Sequence, residues 1–240
     1  MDDKTTKTAQ FSAVAFDLDG TLYPNYRFYL RLIPFLVKEQ RFMRVFGRAR
    51  NRLRKESGEN RENSGSFYQR QAQYMAEILK KDPAFLGERT EKLIYRGWEP
   101  LFKKVKLFPH VKETLMALRE RGIKLGLLSD FPPEKKLENL GLSGYWDVVL
   151  CSEMIGRLKP DPLPFLELCR AMALLPEKIL YVGNSFNYDI LGAQRAGMKA
   201  AWIKPKLSLG IKKRIPGAKI TGKADFVFYD YRQLSNFVIT

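Results

Sequence analysis

A single histidine, His110, and two cysteines, Cys151 and Cys169, are all that 240 residues offer as imidazole or thiol ligands. Neither cysteine stands in a CxxC or other metal spacing, so a Cys/His metal cluster and a disulfide framework are both set aside. The cysteines read as small buried residues of a reducing compartment. His110 follows Pro109 and has no ligand partners, so it reads as a turn residue rather than a ligand or base. Long apolar runs are also missing. None reaches the roughly 18 residues of a membrane span, and no membrane partner is expected. The stretch Met1–Gln10 is polar and lacks the apolar segment of a secretory leader. Together these absences lead to the expectation of a cytoplasmic protein.

Acid is the other shortage. Lys and Arg number 42 against 26 Asp and Glu, a net charge of +16. Between Tyr23 and Leu107 the count is 20 against 9, so +11 lies in that stretch alone. The run Arg41, Arg44, Arg48, Arg50, Arg52, Arg54, Lys55 contains no acid. A solvated basic helix face is the plain reading. An electrostatic funnel for an anionic substrate is the sharper one. Nucleic acid is possible as a partner but not favoured, because the nearby aromatic residues sit at core spacing, where they pack rather than stack on bases.

What is present divides the chain by periodicity. Ser12–Phe16 is a short β-prone run closed by Gly20 and reads as a buried strand. From Tyr23 to Leu107 helical spacing takes over: Tyr29, Leu32, Ile33, Leu36, Val37, then Phe42, Val45, Phe46, Ala49, Leu53. Pro34 predicts a kink or restart there. Ser57–Asn60 and Asn63–Ser66 are loop signals, Phe67–Lys80 a helix, and Pro83 opens another that runs to about Gly97. From residue 108 strands and helices alternate. Strands are expected over 123–128, 147–151, 178–182, 199–203 and 226–229. Helices are expected over 111–121, 133–140, 162–172 and 187–196, and after Tyr231. Such alternation gives an α/β fold: a Rossmann-like parallel sheet with helices on both faces. The expected core is 1–22 with 108–240, and 23–107 is an inserted all-helical cap.

The chemistry lies at four predicted strand ends. Asp17 and Asp19 leave the first strand two residues apart, just before Gly20-Thr21. Two acids are costly in an apolar core, so they should face a crevice and a cation. In an open parallel sheet that crevice lies outside the carboxyl ends of the strands. Ser129 ends another strand and can offer a hydroxyl and an N–H to a phosphate oxygen. Lys159 precedes Pro160-Asp161 and can neutralise a carboxylate and a phosphate together. Gly183-Asn184-Ser185 ends a further strand, with Asp189 beyond it. Phosphoryl transfer needs a nucleophile, an acid/base group, a metal and positive charge, and a carboxylate can form an aspartyl-phosphate. Asp17, nearest the strand, is the candidate nucleophile.

These residues, Asp17-Leu18-Asp19-Gly20-Thr21, Ser129, Lys159-Pro160-Asp161 and Gly183-Asn184-Ser185 with Asp189, resemble the four ordered motifs of the haloacid dehalogenase superfamily. The helical insertion resembles its C1-type cap. The resemblance implies a phosphatase of a small phosphorylated metabolite, with Asp19 as general acid/base. It implies Thr21, Ser129, Asp130 and Lys159 around the phosphate. It also implies Mg2+ at Asp17, the Asp19 carbonyl and Asp189, with Asn184 in the outer shell. An acid at 19 points to a phosphate ester rather than a haloacid. Two positions depart from the pattern: Asp130, where Asn or a small residue is usual, and Asn184, where an acid is usual. They keep open a second reading, a catalytically weak protein of this fold that binds an anionic partner.

Overall fold

The computed structural model describes residues 10–56, 65–204 and 223–240. The apolar run before Asp17 forms β1 (Ala13–Phe16), buried at every position. Before a second strand the described residues form only helices: α1 (Asn25–Lys38), α2 (Gln40–Lys55), α3 (Phe67–Leu79), α4 (Pro83–Thr90) and α5 (Glu99–Phe102). A wide π-type turn over Glu91–Tyr95 extends α4. The rest alternates. It runs α6 (Val111–Glu120), β2 (Lys124–Ser129), α7 (Glu134–Leu140), β3 (Val148–Cys151), α8 (Ser152–Ile155) and α9 (Pro162–Met172). Then come β4 (Ile179–Gly183), a π-type turn over Phe186–Ile190, α10 (Leu191–Arg195), β5 (Lys199–Ile203), β6 (Phe226–Phe228) and α11 (Tyr231–Ile239).

The six strands make one parallel sheet in the order β3-β2-β1-β4-β5-β6. The chain moves outward from β1 on one side, then returns to β4 and moves outward on the other. Loops leaving β1 and β4 therefore part at their carboxyl ends and open a crevice there. Phe16 pairs with Leu127 and Val182, so Asp17 emerges beside Leu128 and Gly183.

Alternate strand residues point to opposite faces. Val14, Phe16, Leu125, Leu127, Leu180 and Val182 pack with α6 and α11. Ala13, Ala15, Ile179 and Tyr181 pack with α9 and α10 on the other side. Helices thus cover both faces, and the α/β class expected from alternation is the observed one. The inserted helices have a cluster of their own, Phe42, Val45, Phe46, Ala49, Met75, Leu86 and Ile94. Tyr23, Phe28, Leu32 and Phe102 instead join the cluster of the sheet, which roots α1 and α5 on it.

Two local expectations are revised, and one element was not expected. α1 runs unbroken through Pro34 and ends at Glu39. Pro34 removes one N–H, but it and Leu30, whose carbonyl loses that bond, lie on the exposed side, where water replaces it. The segment Ser152–Ile155 is a one-turn helix, too short for its sequence to signal. The helix expected from Pro83 to Gly97 widens after Thr90. Of the predicted loops, 57–60 and 63–64 lie outside the described residues, as does most of the lead-in 1–10. Gly65 takes φ +75, and Ser66 with Gln69 forms a capping box on α3. His110 has φ +64 and turns the chain into α6, as its position after Pro109 suggests.

Candidate active site

Lys159 stands at the centre of the crevice. Its Nζ lies 2.6 Å from Asp17 Oδ1 and 2.7 Å from Asp189 Oδ1, and it also donates to Tyr181 Oη at 3.2 Å. Both acids and the lysine are almost wholly buried. Burial works against the charge on Lys159, but Asp17 and Asp189 outweigh it and hold the ammonium well above its usual pKa. Asp17 is pulled the other way. Burial is the larger influence, Lys159 opposes it, Asp189 adds to it, and the carboxyl is raised from 3.8 to about 7.

Thr21 fixes the second oxygen of Asp17: its hydroxyl donates to Oδ2 at 2.8 Å. The Thr21 carbonyl accepts the Tyr231 hydroxyl at 2.6 Å, so the last helix braces the first loop. Ser129 is fully buried, and its Oγ accepts the N–H of Phe131 at 3.2 Å. That bond uses the oxygen as acceptor and leaves the O–H proton for an incoming anion.

Asp19 points away from Lys159. Lys136 Nζ lies 2.6 Å from its Oδ2, the Tyr23 hydroxyl donates to its Oδ1, and its carbonyl accepts Asn25 Nδ2 at 3.3 Å. Gly20 follows with φ +91, and a side chain there would collide with the amides of Asn184 and Asn25. Only glycine lets these two amides close over the Asp19 turn. Asn184 thereby reaches the β1 loop from β4, while its carbonyl accepts Trp202 Nε1 at 3.0 Å. Asp189 Oδ2 accepts the Ser185 N–H at 2.9 Å, which aims its other oxygen at Lys159.

Asp130 faces the helical insertion. Arg54 of α2 lies 2.7 Å from Asp130 Oδ2 and also donates to the Lys159 carbonyl at 2.6 Å. The Lys159 N–H donates to Asp130 Oδ1 at 3.1 Å. Burial disfavours the Asp130 carboxylate, but Arg54 and then Lys159 reverse this and hold it at about 2. Nearby, Arg50 pairs with the buried Glu153 and lies over the Phe131 ring at 4.0 Å. Cation and acid pairs thus tie the basic helix to the loop after β2 and to α8.

The loops gather Asp17, Thr21, Lys159 and Asp189 into one hydrogen-bonded cluster, with Ser129 following Leu128, whose carbonyl accepts from Lys159 Nζ at 3.4 Å, while Asp19 pairs with Lys136. Sequence reading missed Lys136, which looks like one of a run of surface lysines. Its signal lay in phase: Pro133, Lys136, Leu137 and Leu140 share one helix face, and the three apolar members are buried. Arg54 and Tyr231 were missed because their partners are distant in sequence. Beside Lys136 a cavity of about 170 Å³ opens between the insertion and the β2–α7 loop, lined by Tyr68, Tyr95, Trp98, Phe102 and Phe131.

A parallel sheet that converges acids, a buried lysine and hydroxyls at its switch point defines an α/β enzyme for an anionic substrate. A family model described as haloacid dehalogenase-like hydrolase matches residues 11–197, and the chain belongs to that family. It is 32% identical over 204 residues to a glyceraldehyde 3-phosphate phosphatase of Methanopyrus kandleri, across 80% of this chain and 83% of that protein. It is 33% identical over 131 residues to a phosphoglycolate phosphatase of Pasteurella multocida, across 53% of this chain and 55% of that protein. In fold it resembles a HAD phosphatase from Thermococcus onnurineus, with a TM-score of 0.63 at 24% identity, over 94% of this chain and 96% of that one. Within the family the chain is a phosphatase.

Proposed function

We propose that the protein is a magnesium-dependent phosphatase that hydrolyses a small phosphorylated metabolite through an aspartyl-phosphate on Asp17. The observation that carries this reading is the shared bond of Lys159 Nζ to Asp17 and Asp189. Two acids and a compensating cation share one buried cluster, which supports Asp17 as the nucleophile. Asp17 attacks phosphorus, and Thr21, Ser129 and Lys159 stabilise the phosphoryl oxygens. Asp19 gives a proton to the leaving oxygen and takes one from the water that cleaves the acyl phosphate. Tyr23 and Lys136 hold Asp19 at the edge of the cavity, where the leaving alcohol sits. Asp130 serves the phosphate indirectly, by fixing Arg54 and the Lys159 backbone. Residues 23–107 act as the C1-type cap. The free, buried thiols of Cys151 and Cys169 fit a reducing, cytoplasmic setting.

Among the described residues no three His, Cys, Asp or Glu side chains group as a metal site. Mg2+ does not need them: it is held by one or two carboxylates, with waters and phosphate oxygens completing the octahedron. Asp17 and Asp189, the Asp19 carbonyl and, in the outer shell, Asn184 suit that demand. Bound there, Mg2+ would neutralise charge on the phosphoryl group. Asn184 leaves the site one charge short of an all-acid set. Asn184→Asp is therefore expected to tighten Mg2+ binding by about tenfold, read from the metal dependence of turnover. An unchanged metal dependence would remove Asn184 from the site.

A screen of phosphate esters with and without Mg2+, using Asp17→Asn as control, tests the reading. Release of inorganic phosphate that needs both the metal and Asp17 is expected. No turnover on any ester, with salt-sensitive RNA binding instead, would favour the anion-binding alternative. Lys136→Met is expected to lower kcat/KM by about 10- to 100-fold through a misplaced Asp19. Its stability should change by no more than about 1 kcal/mol, since the pair is partly exposed. Wild-type kinetics would show that Asp19 needs no such partner.

A further inference from the structure

The exposed side of α1 is reversed from the usual pattern. On α1, Leu30, Ile33 and Val37 are 59%, 50% and 75% exposed, and Pro34 beside them is exposed too. They recur at three and four residues and form one apolar stripe, which no described residue covers. On α2 the exposed positions continue the same spacing as Arg41, Arg44, Arg48 and Lys55. Along the chain the apolar stripe of α1 is followed, after the non-helical Glu39, by the cationic stripe of α2.

We infer that this face docks on an anionic lipid bilayer, with α1 lying in the interface and α2 resting on the headgroups. The charge on the page argues for that occupant. A helix that lies in a membrane interface buries its apolar side at the acyl boundary and presents Lys and Arg to acidic headgroups. A second copy of this chain would bring two basic stripes together, and the stretch 23–107 carries +11. A nucleic acid would satisfy the arginines and leave the aliphatic stripe in water. An anionic surface with an apolar interior uses both stripes. The expectation of no membrane partner rested on the lack of a spanning segment. No helix among the described residues is long and apolar enough to span, and a helix lying in the interface needs no such length.

The test is flotation of the full chain with phosphatidylcholine vesicles, with and without phosphatidylglycerol, at low and high salt. Binding to the anionic vesicles alone, weakened by salt, is expected. Each basic residue at such a surface strengthens binding by about fivefold, so Arg44→Glu with Arg48→Glu should weaken it by roughly 30-fold or more. Leu30→Gln with Val37→Gln should weaken it by roughly tenfold or more. All four positions are exposed, so far-UV circular dichroism and melting should match the parent. Three results would overturn the inference. They are no flotation at low salt, binding that ignores the Leu30/Val37 pair and is displaced by RNA, or a dimer in solution that Val37→Gln dissolves.

Discussion

Asp17→Asn is expected to abolish turnover, by about 10⁴-fold or more in kcat, while leaving the fold intact. Its carboxylate, the proposed nucleophile, is held between Thr21 and Lys159. Asp189 is turned to the same lysine and held by the Ser185 N–H. The substitution should also change stability in a direction that rules out unfolding as the cause of lost activity. Burial raises the Asp17 carboxyl from 3.8 to about 7, so between those values the folded state holds a proton that the unfolded state has lost. Stability of the metal-free protein therefore falls as pH rises from about 4 to 7 and levels off above. At roughly 1.4 kcal/mol for each unit, the penalty above pH 7 is on the order of 4 kcal/mol. Asparagine stays neutral and avoids it. Calorimetry in chelator at pH 8 should show the inactive variant melting no lower than the parent. A large drop in its melting temperature would mean that Asp17 is structural.

Lys159→Met is expected to fail in the opposite way. It leaves Asp17 and Asp189 buried together without their cation. Breaking a buried pair costs about 3–5 kcal/mol, and here two acids lose one partner. The loss should be greatest at pH 8 and shrink as pH falls and Asp17 takes up its proton, because Lys159 is what draws the Asp17 pKa down. Turnover should fall by about 10³-fold from the missing charge at the phosphoryl oxygens. Mg2+, held by the same two acids in the proposed site, should restore part of the lost stability. Denaturant titrations at pH 5 and 8, with and without Mg2+, check this. A variant as stable as the parent at pH 8 would mean that the two acids do not share a desolvated site.

Asp17 and Lys159 could be placed from sequence because one ends an apolar run and the other precedes a proline, whereas Asp189 was picked out only by its spacing after Gly183-Asn184-Ser185. Local composition is enough to place such residues at one edge of a parallel sheet. The same logic recovered the sheet and the helices of the insertion, whose apolar spacing is strong. It could not show that Asp130 faces Arg54 or that Tyr231 braces Thr21, since these partners belong to elements far apart in the chain. Nor could it separate Lys136 from its exposed neighbour Lys135 without the helix phase set by Leu137 and Leu140. Pro34 shows the converse: its backbone effect is local, but its consequence depends on which side of α1 meets water.

The covalent intermediate proposed on Asp17 is open to direct measurement. The enzyme would be mixed with Mg2+ and a turned-over phosphate ester, quenched in acid within the first turnovers, digested and sequenced by mass spectrometry. One added phosphoryl group on the peptide carrying Asp17, absent in Asp17→Asn, is the predicted result. Turnover with no phosphoryl group on that residue, at a quench faster than hydrolysis, would contradict it.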